Sequence, residues 1–440
     1  MDPATRRRST QRVPEHGRPM QADTAIAPGA RLDVRVLRAL IVGQLGVHAP
    51  MAGLRMAAAL QALREGHGPW TVGLLLALFA AAAVLLAMLS GRLADRHGYH
   101  RPVHLAVGMV ATAGSLAVAS TFVDGWPHLG LLCVAAMLAG GGANMGMLAI
   151  QHTAGAEARD STERVRVFSW LGVAPSFSNV IGPVAAGFLI DAGGFAAAYA
   201  LLAAMPLLTL VCARQVPRRA ARVPDAAAAH RPAWTLLQVP GLRRLLLVSW
   251  VISMGWDVHA FAVPIIGHDR GLTASTIGLI VGTFTLSVTL VRLAIPSIAH
   301  RVREVTAVSA SMVGTGLVFA VYPFAESAWA MGALSALLGI TLGSSQPMVL
   351  STLHHLTPQD RHGEALAFRS MAINLSSTAM PLAFGVAGTV VGPALLFWLV
   401  GASNGAGAWL AAGLQEPRGT VREEPGQAPG ARGPGQDGPG

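Results

Sequence analysis

From about residue 37 to about residue 413 the chain is a succession of long apolar blocks separated by short polar breaks. The blocks are continuous rather than alternating. Each approaches the roughly 20 residues a helix needs to cross the hydrocarbon of a bilayer. The pattern predicts twelve helices, over about 37–60, 70–90, 103–122, 128–150, 167–190, 195–213, 243–266, 272–294, 304–323, 327–350, 365–388 and 391–413. A membrane barrel would alternate over strands of about ten residues. In lipid, only a helix satisfies its backbone hydrogen bonds within one segment. The expectation is an all-α integral membrane protein.

Composition agrees with that pattern. Charged residues make up 12% of the chain and hydrophobic residues 52%, where a soluble domain carries about 25% charge. This argues against a soluble enzyme, a secreted disulfide scaffold and a disordered regulator. Cys133 and Cys212 both fall inside apolar blocks and read as small fillers, neither a disulfide framework nor a metal site. The first 35 residues are polar and rich in Arg and Pro, unlike a removable signal peptide. The first apolar block would itself direct insertion.

The polar stretches divide the chain. Residues 1–36 and 414–440 read as disordered tails, 37–213 and 243–413 as two six-helix bundles, and 214–242 as the linker between them. The net charge of +10 sets 32 Arg, with no Lys, against 22 Asp and Glu. One set of connections carries Arg92, Arg96, Arg101, Arg159, Arg164, Arg166, Arg214, Arg218, Arg219, Arg222, Arg231, Arg301, Arg303 and Arg361. The opposite short loops carry only Arg64 and Arg270. That asymmetry is the positive-inside pattern. It explains the charge without nucleic acid and places both termini in the cytoplasm.

The halves are related. At an offset of 205, Leu37-Arg38 falls on Leu242-Arg243, Gly66 on Gly271, Thr71-Val72-Gly73-Leu74 on Thr276-Ile277-Gly278-Leu279, Phe79 on Phe284 and Arg96 on Arg301. Parallel repeats of this kind are a transporter architecture, with substrate held between them near the bilayer midplane.

The string Gly91-Arg92-Leu93-Ala94-Asp95-Arg96-His97-Gly98-Tyr99-His100-Arg101 joins the second and third spans. Its glycines permit a turn and close approach, and Asp95 can face a helix N-terminus, where an anion is favoured. Here the chain resembles the major facilitator superfamily, whose signature in this loop is matched by Gly91, Asp95, Arg96, Gly98 and Arg101. The resemblance covers about residues 35–413. It implies two six-helix pseudo-repeats that alternate access, with this loop as a latch on the cytoplasmic side. The second-half counterpart, Pro296 to Val305, has His300 in place of the acid.

In the fifth span, Gly182-Pro183-Val184-Ala185-Ala186-Gly187 resembles a weak form of the family's antiporter motif. Gly182, Pro183 and Gly187 read as a site of packing and bending. The fourth span lacks the Arg that proton-coupled relatives often place before their Gly cluster; Met137 and Leu138 stand there.

Ionisable side chains within a bilayer are costly and mark functional candidates. Arg55 with His48 on the first span, and Asp257 with His259 on the seventh, are the candidates for an outer gate and a proton-coupling site; Arg292 lies near the inner end of the eighth span. In the superfamily the first and seventh helices line the cavity on opposite sides, so the resemblance places Arg55 and Asp257 within reach of each other. Gln44, Asn144, Gln151, Trp256 and Gln346 are candidate cavity residues.

Other chemistries fit poorly. Gly401-Ala402-Ser403-Asn404-Gly405 fits G-x-S-x-G but lies in an apolar helix rather than a strand-to-helix elbow. His354, His355 and His362 lack the spacing of a metal site. No G-xxxx-GK-[ST] loop occurs, so ATP is not the expected driver. The reading is a monomeric secondary transporter of a small organic solute in a bacterial inner membrane, not an enzyme. It needs no cofactor or metal; protons are the candidate coupling ion and efflux the candidate direction. An uptake permease or facilitator is the alternative, and a transport-fold sensor a different class.

Overall fold

A computed structural model describes residues 34–157, 161–218, 233–298, 304–357 and 362–414. Most of both tails, part of the linker, and Arg159, His300, Arg301, Arg303 and Arg361 lie outside the described residues. So do the side chains of Asp95, Arg164, Arg166, His354 and His362.

Among the described residues the continuous apolar blocks fold as helices, and no strand occurs. The first six are α1 (Val34–Arg64), α2 (Pro69–His97), α3 (His100–Ser120), α4 (Trp126–Glu157), α5 (Ser161–Ala204) and α6 (Pro206–Ala213). After a short 3-10 turn at Ala233–Gln238 come α7 (Pro240–Asp269), α8 (Ala274–Ile298), α9 (Glu304–Val321), α10 (Ala328–Leu356) and α11 (His362–Ala412). Several helices outrun their apolar blocks: α1 extends to Arg64 and α4 to Glu157. Interfacial polar residues continue a helix beyond the hydrocarbon.

Among the described residues ten helical segments are long and apolar enough to span a bilayer, but two of them, Ala174–Ala213 and Phe368–Ala412, run to 40 and 45 residues. A straight helix of 40 residues would be about 60 Å long, twice the hydrocarbon thickness. Each is broken by one glycine with backbone angles that other residues avoid: Gly194 (φ 78, ψ 179) and Gly392 (φ 76, ψ 166). The chain doubles back at both. A Cβ on Gly53 would touch Gly182 before the Gly194 break and Leu202 after it. A Cβ on Gly388 would lie 3.7 Å from the Leu396 side chain across the second break. Ten segments therefore make twelve passages.

The duplication appears in backbone detail. Gly66 and Gly271, paired at the offset of 205, both have positive φ (83° and 68°). His67 N–H donates to Ala62 O at 2.9 Å and Leu272 N–H to Gly267 O at 2.9 Å, the same bond in each half. Glycines of α4 and α10 lean on equivalent points: a Cβ on Gly140 would strike Phe79 O, and one on Gly339 would strike Phe284 O. Trp126 and Trp329 open α4 and α10 as exposed aromatics, matching a bilayer interface.

Candidate functional site

Helix α1 presents Ala52, Arg55 and Met56 on one face, because positions i, i+3 and i+4 of a helix stack together. That face borders a cavity of about 260 Å³ between the halves. Asn179 and Pro183 of α5 complete the first-half wall. Trp256, Asp257 and His259 of α7, Phe284 and Thr285 of α8, Gln346 of α10 and Ser377 of α11 form the other. Of the polar positions singled out in the sequence, Arg55, Asp257, His259, Trp256 and Gln346 meet here.

Asp257 is only 4% exposed. Its carboxylate accepts hydrogen bonds from Ser376 Oγ at 2.7 Å and Ser377 Oγ at 3.1 Å. These hydroxyls come from α11, 119 and 120 residues away, and no local signal in the sequence marks them. Arg55 faces the same cavity, but no ion pair within 4.0 Å joins it to Asp257; its Nε is buried without a hydrogen-bond partner among the described residues. The two charges share a chamber without touching.

His259 is held within the second half. Its Nε2 lies 3.0 Å from Ser335 Oγ, which also meets Tyr322 Oη at 2.8 Å, and its ring stacks on Phe284 at 4.2 Å. Trp256 meets Phe284 edge-on at 4.9 Å and carries the Arg292 guanidinium over its ring at 5.8 Å. Gln346 Oε1 accepts from Arg292 Nη2 at 3.2 Å. His48, Gln44, Asn144 and Gln151 are not among the lining residues. Asn144 ties α4 to α2 through the Ala83 carbonyl at 3.1 Å, and both amide atoms of Gln44 are buried without a partner among the described residues.

The side of the cavity away from the chain termini is closed by backbone against backbone. A Cβ on Gly187 of α5 would stand 2.4 Å from Ala274 O of α8. Pro183 presents its carbonyl to Gly278, 2.5 Å from where a Cβ would be. The α2–α11 contact repeats this: a Cβ on Gly73 would lie 2.3 Å from Pro381 O. Toward the termini, two glycines of the same helices make no such contact. A methyl on Gly91 of α2 or on Gly172 of α5 would have no described atom within 4 Å.

Asp191, which no motif in the sequence marks, joins the two halves on the closed side. Its carboxylate accepts from Ala274 N–H at 3.0 Å and Ser275 N–H at 2.7 Å, at the N-terminus of α8, and Arg64 lies 3.8 Å away. A first-half acid thus caps a second-half helix, where the helix dipole favours negative charge. The available signal was an isolated acid beside Gly193-Gly194.

The loop between α2 and α3 turns at Gly98 (φ 63), whose N–H bonds to Ala94 O at 2.9 Å. Arg96 and Arg101 are exposed. The Asp95 side chain lies outside the described residues. Among the described residues no group of three or more His, Cys, Asp or Glu gathers to hold a metal.

A profile described as Major Facilitator Superfamily matches residues 40–248 and matches again over 245–434. The chain belongs to the Major Facilitator Superfamily. Among its relatives in the superfamily is the class C tetracycline resistance protein of Escherichia coli, 28% identical over 70% of this chain and 78% of that protein. Another is the enterobactin exporter EntS of Salmonella choleraesuis (strain SC-B67), 27% identical over 75% of this chain and 78% of that one. Two solved structures share the fold. A POT family transporter bound to a thioalcohol-conjugated peptide has a TM-score of 0.68 at 12% identity, covering 86% of this chain and 95% of its own. The nucleoside transporter NupG has a TM-score of 0.68 at 11% identity, covering 87% and 100%. The chain is a multi-pass membrane protein of a transporter superfamily.

Proposed function

We propose that this protein is a secondary transporter that exports a small organic solute by alternating access. The halves, 37–213 and 243–413, would rock around the cavity that holds Arg55 and Asp257. The observation that carries the reading is the cavity itself: it lies between the halves and is closed on one side by glycine-lined backbone contacts. Efflux is supported by two relatives whose names denote resistance and export.

The Arg asymmetry of the loops supports a cytoplasmic position for both termini, in a bacterial inner membrane. The closed side is then external, and Asp191 is its lock. Asp95, with Gly91, Arg96, Gly98 and Arg101, is the corresponding latch on the cytoplasmic side. Asp257 is the coupling site, a cavity carboxylate that faces Arg55 across the chamber and would pair with it in another state of the cycle. A proton on Asp257 frees Arg55 and links proton movement to the conformational cycle. His259, His48, Gln44, Asn144 and Gln151 would act more remotely, by tuning packing around the cavity.

The test is flux in proteoliposomes of purified protein, with an imposed pH gradient and a solute identified by thermal stabilisation. Saturable, gradient-driven movement supports the reading. Flux at channel rates, or none for any solute that binds, overturns it.

A further inference from the structure

Just beyond the cavity, on the side of the termini, lie two arginines from different helices of the second half. Arg292 of α8 is two helical turns from the wall residue Thr285, and Arg369 of α11 is one turn from the wall residue Ile373. Arg292 reaches the wall itself, through its hydrogen bond to Gln346 and its seat over Trp256. Among the described residues neither arginine has a carboxylate within 4.0 Å.

The unmet hydrogen-bonding groups at this place are all of one kind. Arg292 Nε, Arg369 Nε and Trp256 Nε1 are buried and have no partner among the described residues. Each is a donor, so the missing partner is an acceptor. Unpaired buried donors are expensive, those on charged groups most of all. Two like charges gathered in lipid add to that expense. Asp257 does not meet the need, because no ion pair within 4.0 Å joins it to either arginine among the described residues. Around the chamber Arg55, Arg292 and Arg369 outnumber that single acid. Planar guanidinium groups bind carboxylate or phosphate oxygens through paired N–H bonds, a geometry a lysine ammonium does not offer.

We propose that Arg292 and Arg369, with Trp256 and Gln346, form a subsite for the anionic group of the transported solute, a carboxylate or phosphate carried on a small organic body. This deepens the transporter reading and rests on it. The solute enters from the side of the termini, and its anion offsets the two positive charges.

The test uses the full chain, purified in detergent, with solutes in pairs that differ only in charge: benzoate and benzamide, salicylate and salicylamide, phenyl phosphate and phenol. Ligand that binds the folded state raises Tm with concentration. The acid member of at least one pair is expected to raise Tm while its neutral partner does not. Arg292→Gln and Arg369→Gln should each raise the half-effect concentration at least tenfold, and Arg270→Gln, on the far side, should leave it unchanged. A second measurement needs no variant: phenylglyoxal adducts on Arg292 and Arg369, counted by peptide mass spectrometry, should fall with the acid and not with the amide.

Equal action of acid and neutral partners, wild-type concentration dependence in both arginine variants, or adducts indifferent to the acid would overturn the proposal. So would loss of the acid's effect in nanodiscs of phosphatidylglycerol but not phosphatidylcholine, which assigns the arginines to a lipid headgroup. Counterflow of the same acid in proteoliposomes separates the two readings. An acid that binds through these arginines but is never moved sinks the transporter and spares the site. An acid moved equally well by the arginine variants sinks the site and spares the transporter.

Discussion

Asp191 is bonded to the second half only while the side away from the termini is closed, so its removal must shift the balance between closed and open states. The Asp191 carboxylate holds two backbone N–H groups of α8, at 3.0 and 2.7 Å. Losing a helix cap costs about 0.5–2 kcal/mol. A charge at an exposed helix end is worth about 0.3–1 kcal/mol, and the Arg64 contact at 3.8 Å, between partly exposed side chains, adds about 0–1 kcal/mol. These contributions overlap, and together they amount to about 1–2 kcal/mol, or about a five- to thirtyfold change in the closed-to-open ratio. Asp191→Asn keeps one acceptor and should fall at the low end, Asp191→Ala at the high end. Arg64→Gln should do less than either. The assay is double electron–electron resonance in nanodiscs between spin labels at Asp124→Cys and Glu326→Cys. These positions are exposed, on loops of opposite halves at the closed side. The background is Cys133→Ala with Cys212→Ala, which removes both free cysteines. A longer-distance population should grow from the parent through Asp191→Asn to Asp191→Ala. Identical distributions in all three would refute the lock.

Other outcomes follow from single contacts. Gly73→Val would push a branched side chain into the Pro381 carbonyl, so it should open the same side in the same assay while the protein still folds. Asp257→Asn should abolish the response of flux to a pH gradient and leave exchange of solute intact; full proton coupling in that variant would remove Asp257 from the mechanism. Ser376→Ala with Ser377→Ala deprives the Asp257 carboxylate of both its donors, so the response of flux to an imposed pH gradient should change; an unchanged response would remove the two serines from the mechanism. Gly194→Ala and Gly392→Ala should each cost about 1–3 kcal/mol, from backbone angles tolerated almost only by glycine. A clear fall in Tm checks this, with Gly332→Ala, in open space, as the control.

Much of the fold was legible in the chain because lipid imposes a local rule. Each passage must be apolar over its own length, so the blocks, the reversals near 190–195 and 388–391, and the pairing of Gly66 with Gly271 could be read residue by residue. The cavity was legible only in part. Arg55, Asp257, Trp256 and Gln346 stood out because polar groups are conspicuous in apolar blocks, and they do meet. Their partners did not stand out, since a serine in a membrane helix usually bonds back to its own backbone, as Ser403 does to Leu399.

By itself, then, the sequence determined the twelve apolar passages, their duplication and the short inventory of ionisable groups among them. These depend on what each segment must be in order to sit in hydrocarbon. Only the tertiary structure decided that Asp191 caps a helix of the other half, and that Arg292 and Arg369, from different helices, border the same end of the cavity. Those facts depend on helices distant in the chain approaching closely enough for a carbonyl to rest on a glycine. Hydropathy carries no record of which faces meet.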